Sequence, residues 1–132
     1  MPDSEGAGEH RSGPATRAFY HNPTDRPVYF SLTSGRADRT PEGFREGRSG
    51  TRATASSSGG DEQVAPNGPG VLAPGETLTL TSATPGGYGD PTDRDLELIE
   101  EDIEKGIISE ERAEEVYGHD PAGWWNALNR RR

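Results

Sequence analysis

Cysteine is absent from the 132-residue sequence, which excludes a disulfide framework, a thiolate zinc site, iron–sulfur ligation and a cysteine nucleophile. Apolar residues are scarce at 28%, and no stretch approaches the ~18 consecutive apolar residues of a membrane span. The opening MPDSEGAGEHRSGPATR has neither a basic start nor an apolar centre, so it does not read as a signal peptide. A cytoplasmic location is the expectation. Lysine occurs once, at Lys105, against thirteen arginines, a bias that a GC-rich coding sequence explains as readily as a need for bidentate contacts. Eighteen glycines and eleven prolines make much of the chain loop and limit it to one small domain.

The net charge of −9 disfavours nucleic acid or an anionic membrane as partner, since both require a basic surface. That charge is concentrated: residues 90–115 hold twelve acids and three bases, and the rest of the chain is neutral. Within the neutral part, Arg36, Arg39, Arg45, Arg48 and Arg52 form a basic stretch and Arg130, Arg131 and Arg132 a basic tail. Pairing of an acidic helix with the basic loop is one internal arrangement this allows.

The patterning predicts an α+β fold: a small antiparallel β-rich domain followed by an acidic helical hairpin, with a disordered leader over 1–16 and a mobile tail over 119–132. The leader is too polar to repay the entropy of ordering. AFYHNPTDRPVYFSL carries two short strands around turn signals, with Val28, Phe30 and Leu32 on one buried face. TRATA at 51–55 is a third strand candidate. Residues 71–84 contain a Pro74-Gly75 turn and a strand whose Leu78 and Leu80 are expected to share a core with Phe30 and Leu32. Strands therefore fall within 17–84 and a glycine-rich connection within 85–91. From Thr92 the apolar spacing becomes helical at Leu96, Ile99, Ile103 and Ile107, with Thr92 or Asp93 as cap and Gly106 as terminator. Ser109 caps a second helix that ends at Gly118, so the hairpin spans 93–117.

Residues suited to catalysis are few. His10, His21 and His119 are scattered without metal-site spacing, no Gly-x-Ser-x-Gly occurs, and the acids lack EF-hand spacing. No catalytic, cofactor-binding or metal residue is nominated. Gly86, Gly87, Tyr88, Gly89, Asp90 and Pro91 lie between strand and helix, where amides can cradle a phosphate, but Asp90, Asp93 and Asp95 would repel it, favouring glycines that let backbones approach closely. Trp124 and Trp125 beside the terminal arginines have the composition of a docking segment; Trp124 covering the chain's own core is the alternative.

PGGYGDPTDRDLELIEEDIEKGIISEERAEEVYG resembles the C-terminal end of the hydantoinase B/oxoprolinase family, which carries a Tyr-Gly-Asp-Pro motif before an acidic helical hairpin. GVLAPGETLTLTSATPGG resembles the strand before that motif, REGRSGTRA a glycine-arginine loop, and PVYFSLTSGRADRTPEGF the preceding strand and turn, so the resemblance spans Arg17 to Gly118. Family members are several times longer. The resemblance implies a non-catalytic small subunit or split C-terminal domain working with larger hydantoinase A-type and B-type subunits, with residues 86–91 and Trp124-Trp125 at the interface. It also implies ATP with Mg on the partner subunits, in some members with another divalent metal, for hydrolysis of hydantoin or 5-oxoproline or for carboxylation of acetone or acetophenone. An independent protein-binding adaptor, a relic and an autonomous enzyme are the competing readings.

Overall fold

The computed structural model describes residues 1–58 and 64–120. Five strands precede two helices: β1 (Arg17–His21), β2 (Val28–Leu32), β3 (Thr54–Ser57), β4 (Gly68–Leu72), β5 (Thr77–Thr81), α1 (Leu96–Glu104) and α2 (Glu110–Tyr117). The α+β expectation holds at this level. All strand pairs are antiparallel, in a three-stranded sheet ordered β1-β5-β3 and a two-stranded β2-β4 pair.

The two sheets are halves of one long ribbon. β1 runs beside β5 from Arg17↔Thr81 to His21↔Thr77, and the same two chain segments pair again from Val28↔Leu72 to Leu32↔Gly68. Between them six residues, 22–27, stand opposite four, 73–76, so the register shifts by two and the ribbon breaks. Asn22, buried at the break, ties both sides together. Its Nδ2 donates to Arg26 O (2.8 Å), Leu72 O (3.0 Å) and Ala73 O (3.2 Å), while its Oδ1 accepts from Thr24 N and Thr24 Oγ1. Asn22→Ala removes the amide donor to the buried Leu72 carbonyl and is expected to lower the unfolding free energy by about 1–3 kcal/mol, measured by urea denaturation; a loss below about 0.5 kcal/mol would show that water replaces the amide.

Beyond the break the β2–β4 ribbon is only partly covered, Leu72 being buried and the rest half-buried or exposed. The expected buried face on β2 is therefore corrected in part: Val28 is 41% exposed, whereas Phe30 and Leu32 are half-buried and Tyr29, on the opposite face, is exposed, and Phe30 lies against Gly70, where a Cβ would overlap its ring. Leu32 does share a shallow cleft with Leu80, Ala18 and Ala55.

The disordered leader is also corrected. Ala7 and Ala15 are buried, as are Ser4 and Glu5. Ala7 joins Ile99, Ile108, Ala113 and Tyr117 in the apolar core, with Ile103, Ile107 and Val116 packed around it. Polar contacts fix the segment: Ser4 Oγ donates to Met1 O (2.6 Å) and accepts from Ala15 N (2.8 Å), and Asp3 N donates to Ile107 O (3.0 Å). A composition rule weighs apolar area alone, whereas hydrogen bonds to partners remote in sequence order this segment.

Asp95, rather than Thr92 or Asp93, caps α1, its Oδ1 accepting from Glu97 N (3.0 Å). The shift arises because Asp90 caps a separate 3-10 turn over Pro91–Asp93. Ser109 caps α2 as expected, accepting from Arg112 N (3.1 Å), and Gly118 closes it in the left-handed conformation. Lys105 pairs with Glu101 one turn away. Among the described residues the helices' other ion pairs do not reach the basic loop; Arg11, Arg94 and Arg112 supply them. Among the described residues no helix is long and apolar enough to cross a membrane. Of the tail, His119 is buried, while residues 121–132 lie outside the described part.

Candidate functional site

The glycine-rich connection runs between two other stretches of chain, hydrogen-bonded to both. Toward the N-terminal segment, His10 and Tyr88 exchange N–H···O bonds of 2.9 Å in each direction and Glu9 N donates to Gly89 O (3.3 Å). Toward the 44–51 loop, Phe44 N donates to Gly87 O (2.9 Å), Gly89 N to Phe44 O (3.0 Å), Gly87 N to Arg48 O (2.9 Å) and Thr84 N to Thr51 O (3.1 Å). Arg48 N in turn bonds Ala7 O (2.7 Å), closing the three stretches into one weave. Side chains would not fit here. A Cβ at Gly87 would overlap the carbonyls of Ala7 and Gly6, and one at Gly86 the carbonyl of Glu42.

Consecutive motif residues face opposite ways. Gly87, Gly89 and Pro91 are buried, so Tyr88 is the motif's main outward feature, 44% exposed. Its ring lies 6.0 Å from that of His10 and 5.8 Å from that of Phe44, which is itself 64% exposed. Arg45 places its guanidinium 5.9 Å from the Phe44 ring centroid. Three exposed rings and a cation on a rigid backbone form a surface rich in the residue types that anchor protein interfaces.

The turn that presents Phe44 is strained. Arg45 (φ 48°) and Glu46 (φ 72°) are consecutive left-handed residues, and Gly47 N closes the turn on Phe44 O (3.1 Å). Turns with two such residues favour Asn-Gly. Replacing both, Arg45→Asn with Glu46→Gly, is expected to raise stability by about 1 kcal/mol, read as a higher urea midpoint; an unchanged or lower midpoint would show that the turn stores no strain.

Beneath the weave sits a buried ion network. Asp102 receives Arg11 Nε (2.7 Å), Arg11 Nη2 (2.6 Å) and Arg94 Nη2 (2.8 Å), and Arg94 Nη1 reaches Glu9 O (2.9 Å). Burial alone would raise the Asp102 pKa, but the bonds and charges of Arg11 and Arg94 outweigh it and hold the carboxyl below the usual range. The hydrogen bond to Asp102 raises Arg11 in turn. Fully buried Glu5 accepts from Arg112 Nε (2.7 Å) and the Tyr117 hydroxyl (3.0 Å). Burial, followed by the charge of Glu5, pushes the Tyr117 pKa upward. These contacts lock the N-terminal segment onto α1 and α2.

The residues present do not fit a nucleotide's phosphates. The amides of Gly87, Tyr88 and Gly89 already bond carbonyls, and Asp90 spends its Oδ1 on Thr92 N (2.9 Å) and Thr92 Oγ1 (2.7 Å). Those bonds also lower the Asp90 pKa. Among the described residues no three His, Asp or Glu side chains gather as a metal-ligand set. Trp124 and Trp125 lie outside the described residues.

His10, Phe44 and Arg45 escaped the sequence reading because a loop and a leader carry them and nothing local signals their meeting at Tyr88. Asp102 did leave a signal. It stands three residues after Ile99 and one before Ile103, on the stripe predicted to be apolar.

The family pattern described as hydantoinase B/oxoprolinase matches residues 1–91, starting at the first residue and ending before the helices. An uncharacterized protein of Methanocaldococcus jannaschii is 30% identical over 116 residues, covering 81% of this chain and 19% of its own length. The acetophenone carboxylase delta subunit of Aromatoleum aromaticum is 43% identical over 44 residues, 33% of this chain and 6% of that protein. Among solved structures, the ATP-dependent caprolactamase from Pseudomonas jessenii superposes with a TM-score of 0.68 at 25% identity, over 92% of this chain and 22% of the caprolactamase chain. The chain thus spans about a fifth or less of the length of the proteins it matches.

Proposed function

Because this chain belongs to the hydantoinase B/oxoprolinase family, we propose that it is a non-catalytic small subunit or split C-terminal domain that completes a larger hydantoinase B-type subunit. The exposed group of Tyr88, Phe44 and His10 with Arg45, built on a backbone weave within the family-matched region, carries this reading. Trp124 and Trp125 supply a second anchor. In this reading the complex works in the cytoplasm, pairs the B-type subunit with an A-type subunit that uses ATP and Mg, and holds any further divalent metal on those partners. The reaction is ATP-dependent hydrolysis of a hydantoin, 5-oxoproline or related cyclic amide, or carboxylation of a ketone; the caprolactamase likeness over 92% of the chain favours the hydrolytic branch.

The test is affinity purification of the tagged full chain from its source cells, with native mass spectrometry of what co-elutes. Stoichiometric A-type and B-type subunits, lost on Phe44→Ala with Tyr88→Ala, are the expected result. A chain that elutes alone, or with an unrelated protein, overturns the subunit reading in favour of an independent adaptor.

A further inference from the structure

β1 is an edge strand, and the hydrogen-bond phase of its ladder identifies which groups it leaves free. Ser82 N donates to Thr16 O (2.9 Å) and Asn22 N donates to Glu76 O (2.9 Å). These pairs extend the β1–β5 register, Arg17↔Thr81 to His21↔Thr77, at its two ends. Hydrogen-bonded and non-bonded pairs alternate in an antiparallel ladder, so Ala18 and Tyr20 bond β5 while Arg17, Phe19 and His21 turn their N–H and C=O outward. The other side of β5 agrees, since Ser58 N donates to Thr77 O (2.9 Å) in the β3 ladder. Among the described residues no backbone bond reaches those three outward residues.

The side chains of Arg17, Phe19 and His21 share one face. All of β1 is exposed, Phe19 to 66%. Arg17 Nη2 donates to the Met1 sulfur (3.4 Å), and His21 Nδ1 meets Thr77 Oγ1 (3.0 Å). Neither has a carboxylate in ion-pair range among the described residues.

We propose that β1 accepts an extended segment of another protein as a fourth strand, antiparallel, with an acid-x-apolar-x-acid pattern. Its apolar residue stands opposite Phe19 and its carboxylates opposite Arg17 and His21, while the three free N–H and C=O sets supply the backbone bonds. A second copy of this chain is the poorer occupant. Self-pairing about Phe19 would set Arg17 of one copy against His21 of the other, and the chain's own runs of this pattern are not extended strands: Ala7 of Glu5-x-Ala7-x-Glu9 is bound in the core, Glu42-x-Phe44-x-Glu46 turns through left-handed Arg45 and Glu46, and Glu97-x-Ile99-x-Glu101 and Glu111-x-Ala113-x-Glu115 are held in α1 and α2. The inference stands whether or not the chain joins a larger hydantoinase-type subunit.

The experiment titrates the ¹⁵N-labelled full chain with an end-blocked peptide Glu-Thr-Val-Thr-Glu, and with Lys-Thr-Val-Thr-Lys as control. Amide shifts centred on Arg17, Phe19 and His21 with the acidic peptide alone are expected. Phe19→Pro removes an outward donor without touching the β1–β5 ladder and should weaken binding about tenfold; Phe19→Val keeps the donor and should bind more strongly than the proline variant. Should the proline variant fail to fold by circular dichroism, Arg17→Glu with His21→Glu decides, by exchanging the acidic peptide for the basic one. Shifts that are absent or centred elsewhere, binding indifferent to these substitutions, or concentration-dependent self-association through these amides would each overturn the proposal.

Discussion

Gly87→Ala is expected to cost about 3 kcal/mol or more, the upper end of what overpacking costs, a large share of a small domain's ~5–15 kcal/mol. The added carbon would overlap the carbonyls of Ala7 and Gly6, which are main-chain atoms with no rotamer to escape into. Moving the Ala7 carbonyl would strain the Arg48 N–Ala7 O bond (2.7 Å) and so disturb all three stretches of the weave, and moving the Gly6 carbonyl would strain the Ser12 N–Gly6 O bond (3.0 Å). Gly13→Ala is the matched control, because its Cβ meets nothing within 4 Å. Urea denaturation of both variants gives the comparison. If the two lose similar stability, close backbone approach is not what requires glycine at 87.

Asp102→Ala is the second large effect. It strands the Arg11 and Arg94 guanidinia, both largely buried, and removing one partner from such a network costs about 3–5 kcal/mol. The same carboxylate gives the wild-type chain an acid limit. Its pKa lies below the unfolded value, so the unfolded state takes up the proton first. The contribution is fully present above about pH 4 and is lost as pH falls through the folded-state pKa. Asp102→Asn should flatten that part of the stability profile, measured by thermal unfolding from neutral pH downward. An acid slope that survives the substitution would assign the limit to other carboxylates.

Local chemistry made several elements legible. Alternation in TLTLT, the Pro74-Gly75 turn, the helical spacing of Ile99 and Ile103 and the Ser109 cap each act within a few residues, and each appears in the structure. The 1–16 segment was illegible for the converse reason. Glu5 is an exposed acid by composition and becomes a buried one through Arg112 and Tyr117, more than a hundred residues away. Val28 was misplaced because period two shows that a strand has two faces but not whether a second layer covers either. The outward ring group required three separated segments to meet at Tyr88, and sequence spacing carries no trace of that meeting.

The distance between those partners also bears on how the chain is made. Asp3 accepts from Ser109 N, 106 positions away, and Glu5 from Tyr117, 112 away. During synthesis the first ten residues therefore emerge long before their partners exist. The core around Ala7 can close only after α2 has left the ribosome, and contacts so remote make that closure slow. Premature termination anywhere before α2 therefore yields a product that cannot close its core.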